Sequence, residues 1–199
     1  TPFAIYTYKL LKKLGYKPVF LTRGYGGLLK GPIEVTDRHD YKKVGDEALL
    51  LNKIGPTIVS KDRSLGAKLI EKHKDNFNVI IMDDGLQNYQ LEQDIKFLLV
   101  DKNLKFGNEF CIPAGPLREP INQGLIRIDA IVLTGNNNKD ADFNNVHNKT
   151  IFNSKVKTIK SPKIKNEKLL AFCGLANSNK FYETLKENGF KVTSTKSFP

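Results

Sequence analysis

Several residue types are scarce in this sequence, and each shortage excludes something. Two cysteines occur in 199 residues, Cys111 and Cys173. They stand far apart and match no metal or redox spacing, so they read as buried thiols in a reducing compartment. The three histidines, His39, His73 and His147, form no ligand cluster and read as surface residues. No run approaches the ~18 apolar residues of a membrane-spanning helix, and no signal-peptide pattern is visible. No internal repeat is present. The basic residues form no aromatic-interleaved stripe of the kind that single strands favour, so nucleic acid is not the expected partner. No protein partner can be inferred. Arginine is rare, five residues against 27 lysines, which singles out each arginine for attention.

What is present is a globular chain. The apolar fraction of 40% is enough for a core, and 199 residues give room for one generous domain or one domain plus part of another. The net charge of +11 points to an anionic partner, a phosphorylated metabolite or an anionic membrane surface, with Lys-rich composition as the plain alternative.

Along the chain, apolar strands alternate with helices. A helix opens at Thr1, followed by strand 18–22 and a glycine-rich loop at 23–31. Further helices are expected at 45–54 and 64–73, and further strands at 57–60, 78–84, 96–101 and 129–134. This order predicts parallel crossovers and a doubly wound α/β sheet flanked by helices. Residues 135–150 read as a polar loop. Residues 151–162 read as a strand ending at a proline. From 166 onward the pattern is strand, loop, helix and strand, with Asn177 or Ser178 capping the helix and Gly189 ending it. The expected division is a core over 1–150, a linker over 151–165 and the start of a smaller α/β domain over 166–199. Both ends read as cut.

Four stretches carry chemistry. "VIIMDDGLQ" runs an apolar strand into Asp83 and Asp84, where open α/β sheets bind ligands and a Walker B carboxylate meets Mg²⁺. Strands also end in Asp merely to start turns. A Walker B implies a Walker A loop, G-x-x-x-x-G-K-[ST], before the first helix. Thr1, on the first helical turn and followed by Pro2, fits the last letter of such a loop. "VGDEALLL" puts Asp46 and Glu47 at a helix start. Asp46 is there either a general base for an attacking hydroxyl or simply a carboxylate favoured by the helix dipole. "IPAGPLREP" is a stiff loop presenting Arg118 and Glu119, for phosphate neutralisation or as a mutual surface pair. Arg23 in "RGYGG" and Arg63 in "KDR" raise the same question. The glycines of "RGYGG" offer a weak phosphate cradle.

The series "TP", "LTRGYGG", "VGDEALLL", "KDR", "VIIMDDGLQNYQL", "FGNEFCIPAGPLREP" and "LLAFCGLANSNKFYETL" resembles the tetraacyldisaccharide 4′-kinases, the lipid A 4′-kinases, over essentially all 199 residues. The resemblance implies a P-loop NTPase-like fold, with the first strand and Walker A loop lying before Thr1 and a histidine segment after Pro199. It implies ATP and Mg²⁺ as cofactors and a lipid-linked disaccharide as substrate. It also implies a peripheral position on the anionic cytoplasmic face of the inner membrane. By the same resemblance Asp46 is the base with Glu47 beside it, and Asp83 and Asp84 are the Walker B pair. Strand register favours Asp83 toward the metal together with Thr1, which also serves the nucleotide, and Asp84 as catalytic, with the reverse assignment of the two aspartates left open. Gln87, Arg63, Arg118 and Glu119 serve substrate and phosphates. Asn88 stands where the family usually has His, which puts a role there in doubt. Without its P-loop lysine the chain as given is expected to be inactive. The alternative is a non-catalytic fragment or degenerate paralogue that binds nucleotide or head-group without turnover. A P-loop partition ATPase would share the fold but leaves "PAGPLREP" unexplained.

Overall fold

The computed structural model describes residues 1–135, 149–155, 168–174 and 178–198. The expected loop at 135–150, the linker and Asn177 lie largely or wholly outside them. The chain forms two compact units, 1–153 and 154–199.

In the first unit, helix α1 (Pro2–Lys13) leads to strand β1 (Pro18–Thr22). α1 ends as the sequence requires. Gly15 takes φ +89°, its N–H bonds to the Lys12 carbonyl, and the Tyr16 N–H reaches back to Leu11 at 3.0 Å. This is a Schellman turn, which a side chain at position 15 would strain. β1 pairs in parallel with β3 (Thr57–Val59) on one side and β4 (Val79–Met82) on the other, and β2 (Ile33–Glu34) adds an antiparallel edge to β3. All five residues of β1 are buried, because helices cover both faces. Phe20 faces Ala4 and Tyr8 of α1, Leu51 of α3 (Asp46–Asn52) and Ile81 of β4. Val19 and Leu21 face Ile58 and, from α4 (Arg63–Glu71), Ile70. The expected doubly wound α/β arrangement is thus present. A second sheet, β5 (Phe97–Asp101), β6 (Ala130–Thr134) and β7 (Thr150–Ser154), packs against α5 (Ile121–Arg127) through Val100, Ile131, Leu133, Leu125 and Ile128. Among the described strands β4 and β5 do not pair, so this unit carries two sheets rather than one.

Three elements have no counterpart in the sequence reading: β2, α5 and α2 (Tyr41–Val44), whose cap is Asp40 accepting from the Lys43 N–H at 2.9 Å. The helix expected over 45–54 is present as α3, which starts directly after Gly45 at φ +86°. The strand expected over 78–84 stops at Met82, because Asp84 turns to φ +54° and leaves the ladder. His73 is not a free surface residue. Its ring lies 4.8 Å from Phe77, with Nε2 3.5 Å from Glu34. Both cysteines are half-buried rather than buried.

In the second unit, β8 (Leu169–Cys173) and β9 (Val192–Ser197) pair in parallel, joined through α6 (Ser178–Glu187). Gly189 (φ +81°) ends α6 with the same turn seen after α1, the Phe190 N–H bonding to Leu185.

Two of the glycines of "RGYGG", Gly24 and Gly27, pack closely against neighbouring segments. A Cβ on Gly27 would sit 2.7 Å from the Lys43 carbonyl oxygen, and one on Gly45 2.3 Å from that of Tyr25. Leu28 and Leu29 donate their N–H groups to the Lys42 and Lys43 carbonyls, both at 2.9 Å. The loop therefore approaches the 42–45 backbone closely at the start of α3. We expect Gly45→Ala to cost about 2 kcal/mol or more, combining left-handed strain with overpacking. Gly26→Ala, at φ +76° with nothing within 4 Å, should lose only about 1 kcal/mol. Urea unfolding checks this, and equal losses would refute the close-approach account.

Candidate active site

Because β1, β3 and β4 are parallel, their carboxyl ends share one edge of the sheet, where α/β folds bind ligands. The crossover helices run back against the strands, so α1, α3 and α4 begin at that edge. Thr1, Asp46, Glu47, Arg63, Asp83 and Asp84 are brought there by topology alone.

Thr1 is the N-cap of α1, yet its side chain does not cap the helix. Its hydroxyl instead donates to Glu47 Oε1 at 3.1 Å. Its backbone nitrogen lies 3.1 Å from Asp83 Oδ1. The first-turn amides of α1 are left facing the edge, with the positive end of the helix dipole. Asp46 begins α3, is exposed, and accepts the Glu47 N–H at 3.0 Å. Among the described residues no ion pair engages it.

The two aspartates part company. The side chain of Asp83 is 17% exposed and continues the register of Ile81 toward α1. Asp84 is 67% exposed and receives both of its contacts from Arg118 Nη1, at 2.7 and 3.0 Å. They diverge through a positive-φ turn, not through simple strand alternation.

Arg63 is 4% exposed. Its Nη1 donates to the Ser60 carbonyl, its backbone N–H bonds Gln90 Oε1 at 2.8 Å, and its Nε has no partner. Burial, and then Arg23, push its pKa below the ordinary value, while Asp84 acts the other way. An oxyanion at this point would supply the missing acceptor.

Arg118 and Glu119 do not pair with each other. Glu119 Oε1 accepts from Gln87 Nε2 at 2.9 Å, and its other oxygen is ion-paired with Arg127. Asn88 is a turn residue, its carboxamide oxygen accepting the Gln90 N–H at 3.2 Å. Arg127, Tyr89 and Gln90 went unnoticed in the sequence. The scarcity of arginine was the available signal for Arg127, which sits in a helix's last turn where a cation is unremarkable.

The Thr1 hydroxyl and the Asp83 carboxylate are hard oxygen donors beside a helix N-terminus. Among the described residues no cluster of three or more His, Cys, Asp or Glu could hold a metal. That donor set suits Mg²⁺, which commonly takes one or two carboxylates together with phosphates and water, and it does not suit zinc.

The family model described as tetraacyldisaccharide-1-P 4′-kinase matches residues 1–199. The chain belongs to the tetraacyldisaccharide 4′-kinase family. A tetraacyldisaccharide 4′-kinase from Paramagnetospirillum magneticum is 42% identical over 204 residues, covering all of this chain and 62% of that protein. One from Parvibaculum lavamentivorans is 41% identical, with 59% of its length covered. The chain thus spans about three-fifths of these relatives. Among solved structures, the "apo" form of LpxK from Aquifex aeolicus, crystallised in complex with ATP, superposes with a TM-score of 0.78 at 30% identity, over 99% of this chain and 65% of that one.

A buried guanidinium with an unfilled donor costs stability until an anion arrives. We expect the unfolding midpoint of Arg63→Met to hold or rise. Added inorganic phosphate should then stabilise the variant less than the parent. A lower midpoint, or equal stabilisation by phosphate, would count against the anion-site assignment.

Proposed function

We propose that this chain carries the core of a kinase that moves the γ-phosphoryl group of ATP to the 4′-hydroxyl of a tetraacyl glucosamine disaccharide 1-phosphate, in lipid A biosynthesis. The observation that carries the reading is the gathering of Thr1, Glu47 and Asp83 at the open first turn of α1. Exposed Asp46 and the Arg118–Asp84 pair lie on elements that end or begin at the same edge. The names of the relatives, and ATP bound in the Aquifex protein, support it.

In this reading the acceptor oxygen attacks the γ-phosphorus, the bond to the ADP oxygen breaks, and the hydroxyl proton passes to Asp46. Arg118 exchanges Asp84 for a phosphate oxygen. That exchange is easy, because a solvent-exposed pair is worth at most ~1 kcal/mol. Arg63 donates to a further phosphate oxygen from within the fold. Thr1 and Asp83 would hold Mg²⁺, which supplies charge neutralisation on the phosphates when bound. The +11 charge suits a peripheral place on the anionic cytoplasmic leaflet of the inner membrane, where the lipid substrate would be presented. No helix among the described residues is long and apolar enough to cross a membrane.

Two experiments test this in a chain completed to the length of its relatives. Asp46→Asn should lower kcat by ~10²–10⁴-fold with nucleotide affinity unchanged. An equal loss of ATP binding would instead make Asp46 a nucleotide or metal ligand, and no transfer by the parent would favour a binding module without turnover. In the second experiment, Asp83→Asn should be partly rescued by raised Mg²⁺, because what it loses is metal affinity. Asp84→Asn should not, because it loses the Arg118 contact. Equal rescue would remove the division of roles, and rescue of Asp84→Asn alone would reverse it.

A further inference from the structure

Arg127 stands outside every motif described above, yet it makes more specific contacts than the arginines inside them. It occupies the last position of α5. Its side chain runs back along the helix, as long helical side chains do. Nε donates to the Gln123 carbonyl at 3.3 Å. Nη2 reaches Glu119, just before the helix begins. Nη1 donates to the Tyr89 hydroxyl at 2.6 Å, and the guanidinium lies 5.0 Å from the centre of that ring. Glu119 packs over Gly124, where a methyl would meet its carboxyl carbon at an ordinary contact distance of 3.6 Å.

Two loops are joined by this one side chain. Tyr89 belongs to the segment after β4 that also carries Asp84 and Gln87, while Glu119 belongs to the proline-rich loop that also carries Arg118. Adjacent rungs cross between the same loops, Asp84 to Arg118 and Gln87 to Glu119. The Asp84–Arg118 rung is exposed, whereas Glu119 and Arg127 are 19% and 24% exposed. The better-protected pair is the firmer of the two, because solvent screens the exposed one. Arg127 also has an electrostatic consequence. With its charge committed to Glu119, that carboxylate does not compete for the neighbouring Arg118.

We propose that Arg127 is a positioning residue of the phosphoryl-transfer site. It clamps the loop 84–93 to the proline-rich loop through Glu119 and Tyr89, sets Gln87, and leaves Arg118 available for phosphate. This rests on the kinase reading above. Misplacing a site by about 1 Å costs on the order of 10²-fold in rate.

The test uses the completed chain with Arg127→Gln, Arg127→Lys, Glu119→Gln and the Arg127→Gln/Glu119→Gln double variant. Arg127→Gln should lower kcat about 10–100-fold per folded molecule, with the KM values for ATP and the disaccharide changed far less. Arg127→Lys keeps the charge toward Glu119 but loses the second arm to Tyr89, and should recover part of the rate. The double variant should be no worse than the poorer single, because both changes break one unit. Additive losses, an unchanged kcat, or a loss wholly accounted for by unfolded protein would each overturn the proposal. Backbone amide exchange supplies a readout independent of turnover. Arg127→Gln should speed exchange across 84–93 while β6 is unchanged, and no change across 84–93 would overturn the clamp. A parent that transfers no phosphate would defeat the kinase reading, while the exchange measurement still decides the clamp.

Discussion

The parallel pairing of β1 on both sides determines where everything else can be. A strand paired in parallel cannot reach its neighbour by a hairpin and needs a crossover for each connection. Phe20 commits one face to α1 and α3, and Val19 and Leu21 commit the other to α4. Once those faces are filled, the carboxyl ends of β1, β3 and β4 must coincide at one edge, and the helices between them must start there. Residues as far apart in sequence as Thr1, Glu47 and Asp83 meet for that reason. The same topology stacks helix N-termini on one side, which gives the edge a positive backbone potential before any side chain is counted.

On that background the arginines differ by burial more than by charge. Arg63 is buried with one donor unfilled, Arg127 is sheltered and fully engaged, and Arg118 is exposed and lightly held. Desolvation makes the first costly to leave unpaired, and solvent makes the last cheap to re-pair. A polyanion entering this edge would therefore meet one cation that gains from contact and another that gives up little to make it. Asp83, Asp84, Glu47 and Asp46 offset this charge, so the edge is a mixed field and not a basic patch.

Much of the architecture was legible because its signals are local. Apolar runs of four or five residues marked five of the strands, and Gly15 and Gly189 marked helix ends through the φ only glycine adopts easily. The misses were cases where the deciding contact is distant. β2 is two residues long and exists only by pairing with β3. α2 is four residues long, and the Leu28 and Leu29 N–H groups bond its carbonyls from a loop upstream. The close approach of Gly27 in "RGYGG" to the 43–45 backbone likewise appears only when the two segments are seen together. The site was legible as a set of residue types in motifs, and the resemblance supplied their roles. Their pairings were not legible. Adjacent Arg118 and Glu119 invite an ion pair, but neighbours in an extended loop point apart, and each finds its partner in the segment after β4 or at the far end of α5.

Those pairings matter beyond the site, because β4 and β5 share no ladder among the described strands. The first sheet ends at β4, the second begins at β5, and the loops that follow these two strands face each other at the candidate site. What crosses between them is a set of side-chain rungs, Asp84 with Arg118 and Gln87 with Glu119, and an aromatic contact of Phe3 with Phe97 at 5.3 Å. Backbone ladders are cooperative and hard to open locally, whereas side-chain rungs can be exchanged one at a time. A site built at such a junction can release Asp84 from Arg118 when an anion binds without opening a sheet. It remains aligned only if another rung holds, and the sheltered contact among Glu119, Arg127 and Tyr89 has the burial and the donor count to do so. The exposed rung and the sheltered one are thus anchored one residue apart in sequence, at positions 118 and 119.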